Sequence, residues 1–336
     1  MMPVAIALVL GLIVVGTGGG VSPMVIGLLV LAVAVLGPRL QLAQRGPWAR
    51  LPWFAPVPAT ALAPPARWSP TRVARSTSPS RTTLVLALTE TRRLLLSPLF
   101  LAGLLFVGIG LFQSRTEDPG GAYNSLTNSG ITAFVFGPIA LFAANACANR
   151  SRRDHTDEVY GAASLSARRR TLALCLAGIP AALIVVVLQY SALLLYRHVW
   201  HADLVRIPRF WEMLATPLEV LGAVCLGVMI ARWLPWRGGV LAGFMVVVFA
   251  TGTMVGDFEL DWLSPFVEFQ VYFDDENTPA AFLAGSASWH ALYLLALAAM
   301  ATVGAMLRAS GRRMELLTVG AVVTLAAIGA GWAQFP

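Results

Sequence analysis

Seven long apolar runs, at about 97–113, 130–148, 171–196, 213–232, 238–256, 288–307 and 315–333, govern what this sequence can fold into. Each is bounded by Arg, Asp, Glu, Pro or Trp. A bilayer core about 30 Å thick is crossed by roughly 20 apolar residues in helix, and these runs have that length. Only 12% of the 336 residues are charged and 57% are hydrophobic, too little charge to cover a soluble domain of this size. The expected fold class is an all-α polytopic transmembrane protein.

Two shorter runs, 3–17 and 21–37, precede these and are split by Thr17-Gly18-Gly19-Gly20. A 15-residue helix reaches only about 22 Å, so residues 1–37 read as a thin hydrophobic hairpin or a re-entrant loop, the hairpin being preferred. No basic n-region opens the chain, and the first run is expected to stay in the mature protein. Residues 38–83 are Pro- and Arg-rich, with Pro38, Pro47, Pro52, Pro56, Pro58, Pro64, Pro65, Pro70 and Pro79 forbidding a continuous helix. They read as a partly extended cytoplasmic linker.

Every basic residue apart from histidine is Arg, since Lys is absent, and together with the Ala, Gly and Pro content this points to a high-GC bacterial genome. The arginines are unevenly placed. All but Arg115, Arg197, Arg206 and Arg209 fall in 38–96, 149–170, 232–237 and 308–314, while most acids, among them Glu117, Asp118, Asp257, Asp274 and Glu276, lie in the alternate loops. The positive-inside rule puts the first set in the cytoplasm of a bacterial plasma membrane, with the N-terminus inside and the C-terminus outside. Trp200, Trp211, Trp233, Trp236, Trp262, Trp289 and Trp332 near run ends match an interfacial aromatic belt. The net charge of +7 is therefore a topology signal and not a nucleic-acid footprint.

Two loop-proximal segments carry more pattern than a plain connection. In Leu88–Phe100, Glu90, Arg93 and Ser97 share one helical face and Leu84, Leu88, Leu95 and Leu99 another, so residues 84–97 read either as an interfacial helix with its charges in water or as an ordinary basic flank. Pro98 then bends the chain into the next run. The loop 149–170 holds a mixed-charge stretch, Asp154-His155-Thr156-Asp157-Glu158-Val159-Tyr160, before the turn Leu165-Ser166 and the cluster Arg168-Arg169-Arg170.

In this order and flanking these runs, the two segments resemble the membrane permeases of type-2 ATP-binding-cassette (ABC) exporters. Glu90, Arg93, Ser97 and Pro98 match the family's Glu-x-x-Arg-x-x-x-Ser-Pro elbow. Thr156, Glu158 and Val159 match its Thr-x-Glu-Leu, and Leu165, Ser166, Arg168 and Arg169 match the following turn loosely. Ser288-Trp289-His290-Ala291-Leu292-Tyr293 is similar to the start of the last core span in actinobacterial members. The resemblance covers 84–308 and implies a six-span permease core, with 1–83 and an extra span within 309–336 as departures. It implies a dimer with a second permease copy or homologue, a cytosolic ABC ATPase docked on Thr156, Asp157, Glu158, Val159 and Tyr160, and short outer helices near an exit gate within 257–287.

The chemistry of an enzyme is sparse. Without Lys there is no standard P-loop, so ATP would bind another chain; no cofactor is expected. His198 and His201 are three apart but have only Asp203 nearby, and read as interfacial. Asp274-Asp275-Glu276 reads as a solvated outer face, and Cys147, Cys175 and Cys225, all in apolar runs, as unbridged. Glu219 is the one carboxylate well inside a run, where an ionisable group costs on the order of 3 kcal/mol at the centre of a span. It lines a path through the bundle, pairs with an outer Arg, or snorkels to the outer surface; Gln189, Asn145 and Asn149 are weaker cases. The alternatives to an exporter are a membrane scaffold that does not transport, or a membrane-embedded enzyme using Glu219 or the two histidines. Orientation is checked with single cysteines in a Cys-free background: Ser125→Cys and Thr278→Cys should react with an impermeant maleimide added outside, and Ser166→Cys and Ser310→Cys should not.

Overall fold

The computed structural model describes residues 79–116, 122–123, 126–127, 136–153, 166–202, 204, 206–236, 238–255, 271–275, 278–282, 285–309 and 313–334, with only the backbone for 79–80, 250–255 and the two strands. The hairpin 1–37, nearly all of the linker 38–83 and Thr156 to Tyr160 lie outside the described residues. The helices are α1 Pro79–Leu95, α2 Pro98–Gln113, α3 Gly137–Ala148, α4 Ala167–Leu176, α5 Gly178–His198, α6 Phe210–Trp233, α7 Gly239–Val255, α8 Ala287–Ala309 and α9 Arg313–Ala333. Between α7 and α8 lie strands β1 Val271–Asp275 and β2 Thr278–Phe282.

Each apolar run holds a helix, but the helices do not all have the length of a crossing. Among the described residues four are long and apolar enough: Ala167–His198 (α4 and α5 across a turn at Ala177), α6, α8 and α9, with the bent pair α1–α2 a fifth. The protein is thus a helical chain compatible with several membrane passes. Of the run expected as a span at 130–148, the described part includes the helix Gly137–Ala148, 12 residues or about 18 Å. Pro138 in its first turn suits a helix start.

The α1–α2 junction follows from local chemistry. Pro98 has no N–H to continue α1 and opens α2, and Ser97 takes the extended backbone favoured before proline. The Phe100 backbone N–H donates to Ser97 Oγ at 3.2 Å, and the two helices meet at 63°. The facing of α1 differs from the expectation of charges in water. Thr83, Ala87, Glu90, Thr91 and Leu94 form its buried face, whereas Leu84, Val85 and Leu88 are exposed. Arg93 donates to Glu90 Oε1 at 2.6 Å, so the carboxylate enters the protein already paired. In an apolar solvent the leucine face is the one that can be left uncovered, which reverses the arrangement expected in water.

A second correction concerns the outer segment 257–287. Where short helices were expected, the part described is β1 and β2, which run antiparallel and pair Val271 with Phe282, Phe273 with Pro279 and Asp275 with Thr278. Val271-Tyr272-Phe273 favours strand, and Pro279 would break a helix. The connection after α2, expected on the outer side, is packed into the protein at its described residues. Ala122, Tyr123 and Leu126 are wholly buried and Thr127 nearly so. These residues flank Ser125, so the reporter at Thr278 carries the topology test.

Helix α6 is the hub, packing most extensively on α8, then on α3 and α5. Small residues set the approach. A Cβ on Gly227 would stand 2.3 Å from the Leu141 carbonyl oxygen of α3, and one on Gly178 would meet Leu221 and Val224 at 3.0–3.2 Å. The Gly227 carbonyl accepts from Asn145 Nδ2 at 3.1 Å, Asn149 donates to Asn145 Oδ1, and Trp233 Nε1 donates to the Gly304 carbonyl of α8 at 2.9 Å. Gly227→Ala should therefore destabilise the detergent-solubilised protein by about 1–3 kcal/mol, since backbone must move. Gly222→Ala, with nothing within 4 Å, should be neutral or stabilising. Thermal unfolding of the two variants against the parent checks both.

Candidate functional site

Three polar side chains in the first half of α6 fall on one face. Glu212, Thr216 and Glu219 stand at i, i+4 and i+7 and are all buried. Glu219 is packed within the bundle at 9% exposure, not turned out to a surface. At about 1.5 Å per residue it lies roughly 10 Å deeper than Glu212.

Glu212, in the first turn of α6, collects a cluster at the end of the bundle where α5 connects to α6. Its Oε1 takes Arg206 Nη2 at 2.5 Å, and its Oε2 takes the Tyr123 hydroxyl at 2.9 Å and the Arg209 backbone N–H at 2.7 Å. Arg206 Nε and Nη2 also donate to the Tyr123 oxygen at 3.2 and 3.1 Å, and the guanidinium lies over the Tyr123 ring. Burial pushes the Tyr123 phenol up to about 12, with the neighbouring carboxylate adding to the rise and Arg206 opposing it. A carboxylate at a helix start is also favoured by the helix dipole.

The same segment is held a second time. Gln189 of α5, 3% exposed, donates from Nε2 to the Leu126 carbonyl at 2.9 Å, and Thr127 Oγ1 donates to the Tyr123 carbonyl at 3.1 Å. Gln189 Oε1 and Thr216 Oγ1 have no hydrogen-bond partner among the described residues. Beside the cluster, the Tyr196 hydroxyl donates to the Leu111 carbonyl, and Phe112, Trp200 and Arg115 stack at the ends of α2 and α5.

The sequence-based candidates distribute differently. Glu90, Arg93, Ser97 and Pro98 sit around the α1–α2 break, at the opposite end of α2 from the Leu111–Tyr196 contact, and do not join Glu219. Asn145 and Asn149 are spent on helix packing, and Gln189 on the Leu126 carbonyl. His198 and His201 are exposed at the close of α5, where His201 takes a left-handed φ of 48°. No three His, Cys, Asp or Glu side chains among the described residues converge as a metal would require. His290, which belongs to the Ser288–Tyr293 likeness, and Gln334, not singled out from sequence, meet at 2.8 Å and tie α9 to α8, with the Ser286 N–H on the Gln334 carbonyl. Glu212 was signalled by its place three residues after Arg209 and six after Arg206 at the mouth of a run; nothing in the sequence marked Tyr123 as their partner.

Comparison with known proteins returns no match: no family model fits the chain, and no curated protein and no solved structure is significantly similar to it.

A double-mutant cycle measures how far the cluster acts as a unit. Tyr123→Phe and Glu212→Gln should couple by about 0.5–3 kcal/mol in thermal or denaturant unfolding, against none for Tyr123→Phe with Thr318→Val on α9. The raised phenol adds a pH signature. Its contribution is complete below the usual value of 10 and is lost as the pH rises towards about 12, in the parent and not in Tyr123→Phe.

Proposed function

We propose that this chain is the membrane-spanning subunit of an ABC-type exporter, working as a homo- or heterodimer of permeases and driven by a separate cytosolic ATPase. The observation that carries the reading is the helix–break–helix at 79–113. Its Glu90–Arg93 pair, Ser97 cap and Pro98 start fall on the four positions of the resemblance, and its two halves meet at 63°. A helix that bends sharply just before the first long apolar run is suited to lie along a membrane face, with Leu84, Val85 and Leu88 uncovered towards lipid. Ser166 supports the reading from the other segment: its side chain accepts from the Arg169 N–H and starts α4 where the Arg cluster turns the chain back towards the bundle.

On this reading the Arg-rich ends face the cytoplasm, the chain starts inside and ends outside, and the core has six spans with α9 as an addition. Thr156 to Tyr160 would dock the ATPase and receive its closure mechanically, since the Lys-free chain has no P-loop. Asp157 and Glu158 offer charge and Tyr160 an anchor. Glu219 would line the path between the faces.

Affinity purification in mild detergent should bring an ABC ATPase with the chain. Glu158→Arg and Tyr160→Ala should each weaken that co-purification by more than about tenfold, the effect of losing one partner of a desolvated pair, while insertion stays normal. Thr278→Ala should have no effect. Retention of full ATPase binding and full transport by both loop variants would remove the docking role.

A further inference from the structure

Tyr123, Arg206 and Glu212 come from three separate places in the chain: the segment after α2, the α5–α6 connector and the first turn of α6. Each touches the other two. The Tyr123 hydroxyl donates to Glu212 and accepts from Arg206, and Arg206 reaches both. The formation of the helices requires none of these bonds. They fasten pieces 83 to 89 residues apart, and cost the burial of a carboxylate at a helix end that could have stayed in water.

We propose that this triad is a lock: it holds the connector end of the bundle closed over the polar face of α6, and it must part before water or a polar solute reaches Thr216 and Glu219. Four observations converge. Thr216, one turn below Glu212, is 1% exposed, and its hydroxyl has no hydrogen-bond partner among the described residues. Gln189 Oε1, on the helix that holds Leu126, is in the same condition. Buried polar atoms of this kind are suited to a guest that can supply hydrogen bonds. The side chain of Arg206 is about one-third exposed, so water and ions can compete for it and the ring can open. Pro217, inside α6 between the lock and Glu219, has no N–H for the Met213 carbonyl, which leaves the first turn of α6 less firmly tied to the rest. The lock rests on this geometry alone and stands or falls independently of the exporter reading.

The test uses the full-length protein in lipid nanodiscs, where both faces are open to reagent. One form carries Thr216→Cys as its only thiol; a second keeps native Cys225, buried farther along α6, as its only thiol. Each is labelled with a small charged methanethiosulfonate, alone and combined with Tyr123→Phe or Glu212→Gln. Tyr123→Phe keeps the buried ring and removes only the hydroxyl, so it guards against a variant that fails to fold. Loss of a hydrogen bond to a charged group should raise labelling at position 216 on the order of tenfold, because reaction follows the population of the open form. Labelling of Cys225 should not change. An unchanged rate at 216 in both variants would overturn the lock. So would an equal rise at Cys225, which would make the triad an element of general stability.

Discussion

The contact between Gly227 and Leu141 sets the geometry on which the other packing depends. With a hydrogen in place of a side chain, α6 comes close enough to α3 that a Cβ would lie 2.3 Å from the Leu141 carbonyl oxygen. Asn145 can then span the gap to the Gly227 carbonyl. Helix α6 also meets α5 at Gly178 and α8 at Gly304. Lipid offers helices little hydrophobic reason to associate, because its tails are as apolar as leucine. Close backbone approach at small residues, together with hydrogen bonds shielded from water, has to supply the association. Three of the helices that contact α6 do so at a glycine on one side or the other.

Buried polar groups are expensive in such a medium, and most of those described here have identified partners inside the protein. Glu90 has Arg93, Asn149 has Asn145, Gln334 has His290 and the Ser286 N–H, and Glu212 has three donors. Two of the atoms that stand outside this pattern, Thr216 Oγ1 and Gln189 Oε1, belong to the two helices that frame the Glu212 cluster. They lie beside a carboxylate that has three donors of its own.

The apolar runs located the helices because length and hydrophobicity are local properties, and the Ser97-Pro98 break was legible because a proline's missing N–H acts on its own residue. Which way a helix faces is not local. Glu90 and Arg93 were assigned to one face of α1 correctly, but that face turned inward, since an ion pair can be carried into protein while Leu84 and Leu88 are tolerated by lipid. The same limit hid the burial of Tyr123 and Leu126. Their segment lies among charged and small residues and reads as solvated, and only contacts across 63 and 89 residues draw it in. The β1–β2 hairpin lost to an expectation of helix because the resemblance was weighed above Val271-Tyr272-Phe273 and Pro279, which argue locally for strand. Of the candidate residues, Glu219 was visible as a lone carboxylate in an apolar run, whereas Glu212 was visible only as one acid among arginines.

The described residues at the two ends of the bundle make different kinds of contact. The Arg-rich end has many charges, and the ion pairs among its described residues include an i,i+3 contact, Glu90–Arg93, and the exposed Arg168–Glu315 pair at 3.9 Å, the latter of a kind worth at most about 1 kcal/mol. Cohesion there comes from Gly178, Gly227 and Gly304 letting helices approach. The connector end has few charges among its described residues, but three groups form a closed, long-range and largely buried ring. Packing between small residues responds to any displacement along its length, whereas a ring of hydrogen bonds is either made or broken. A bundle built this way can keep its Arg-rich end in one arrangement while its connector end has two, and α6, which reaches from Glu212 to Trp233, is the element common to both.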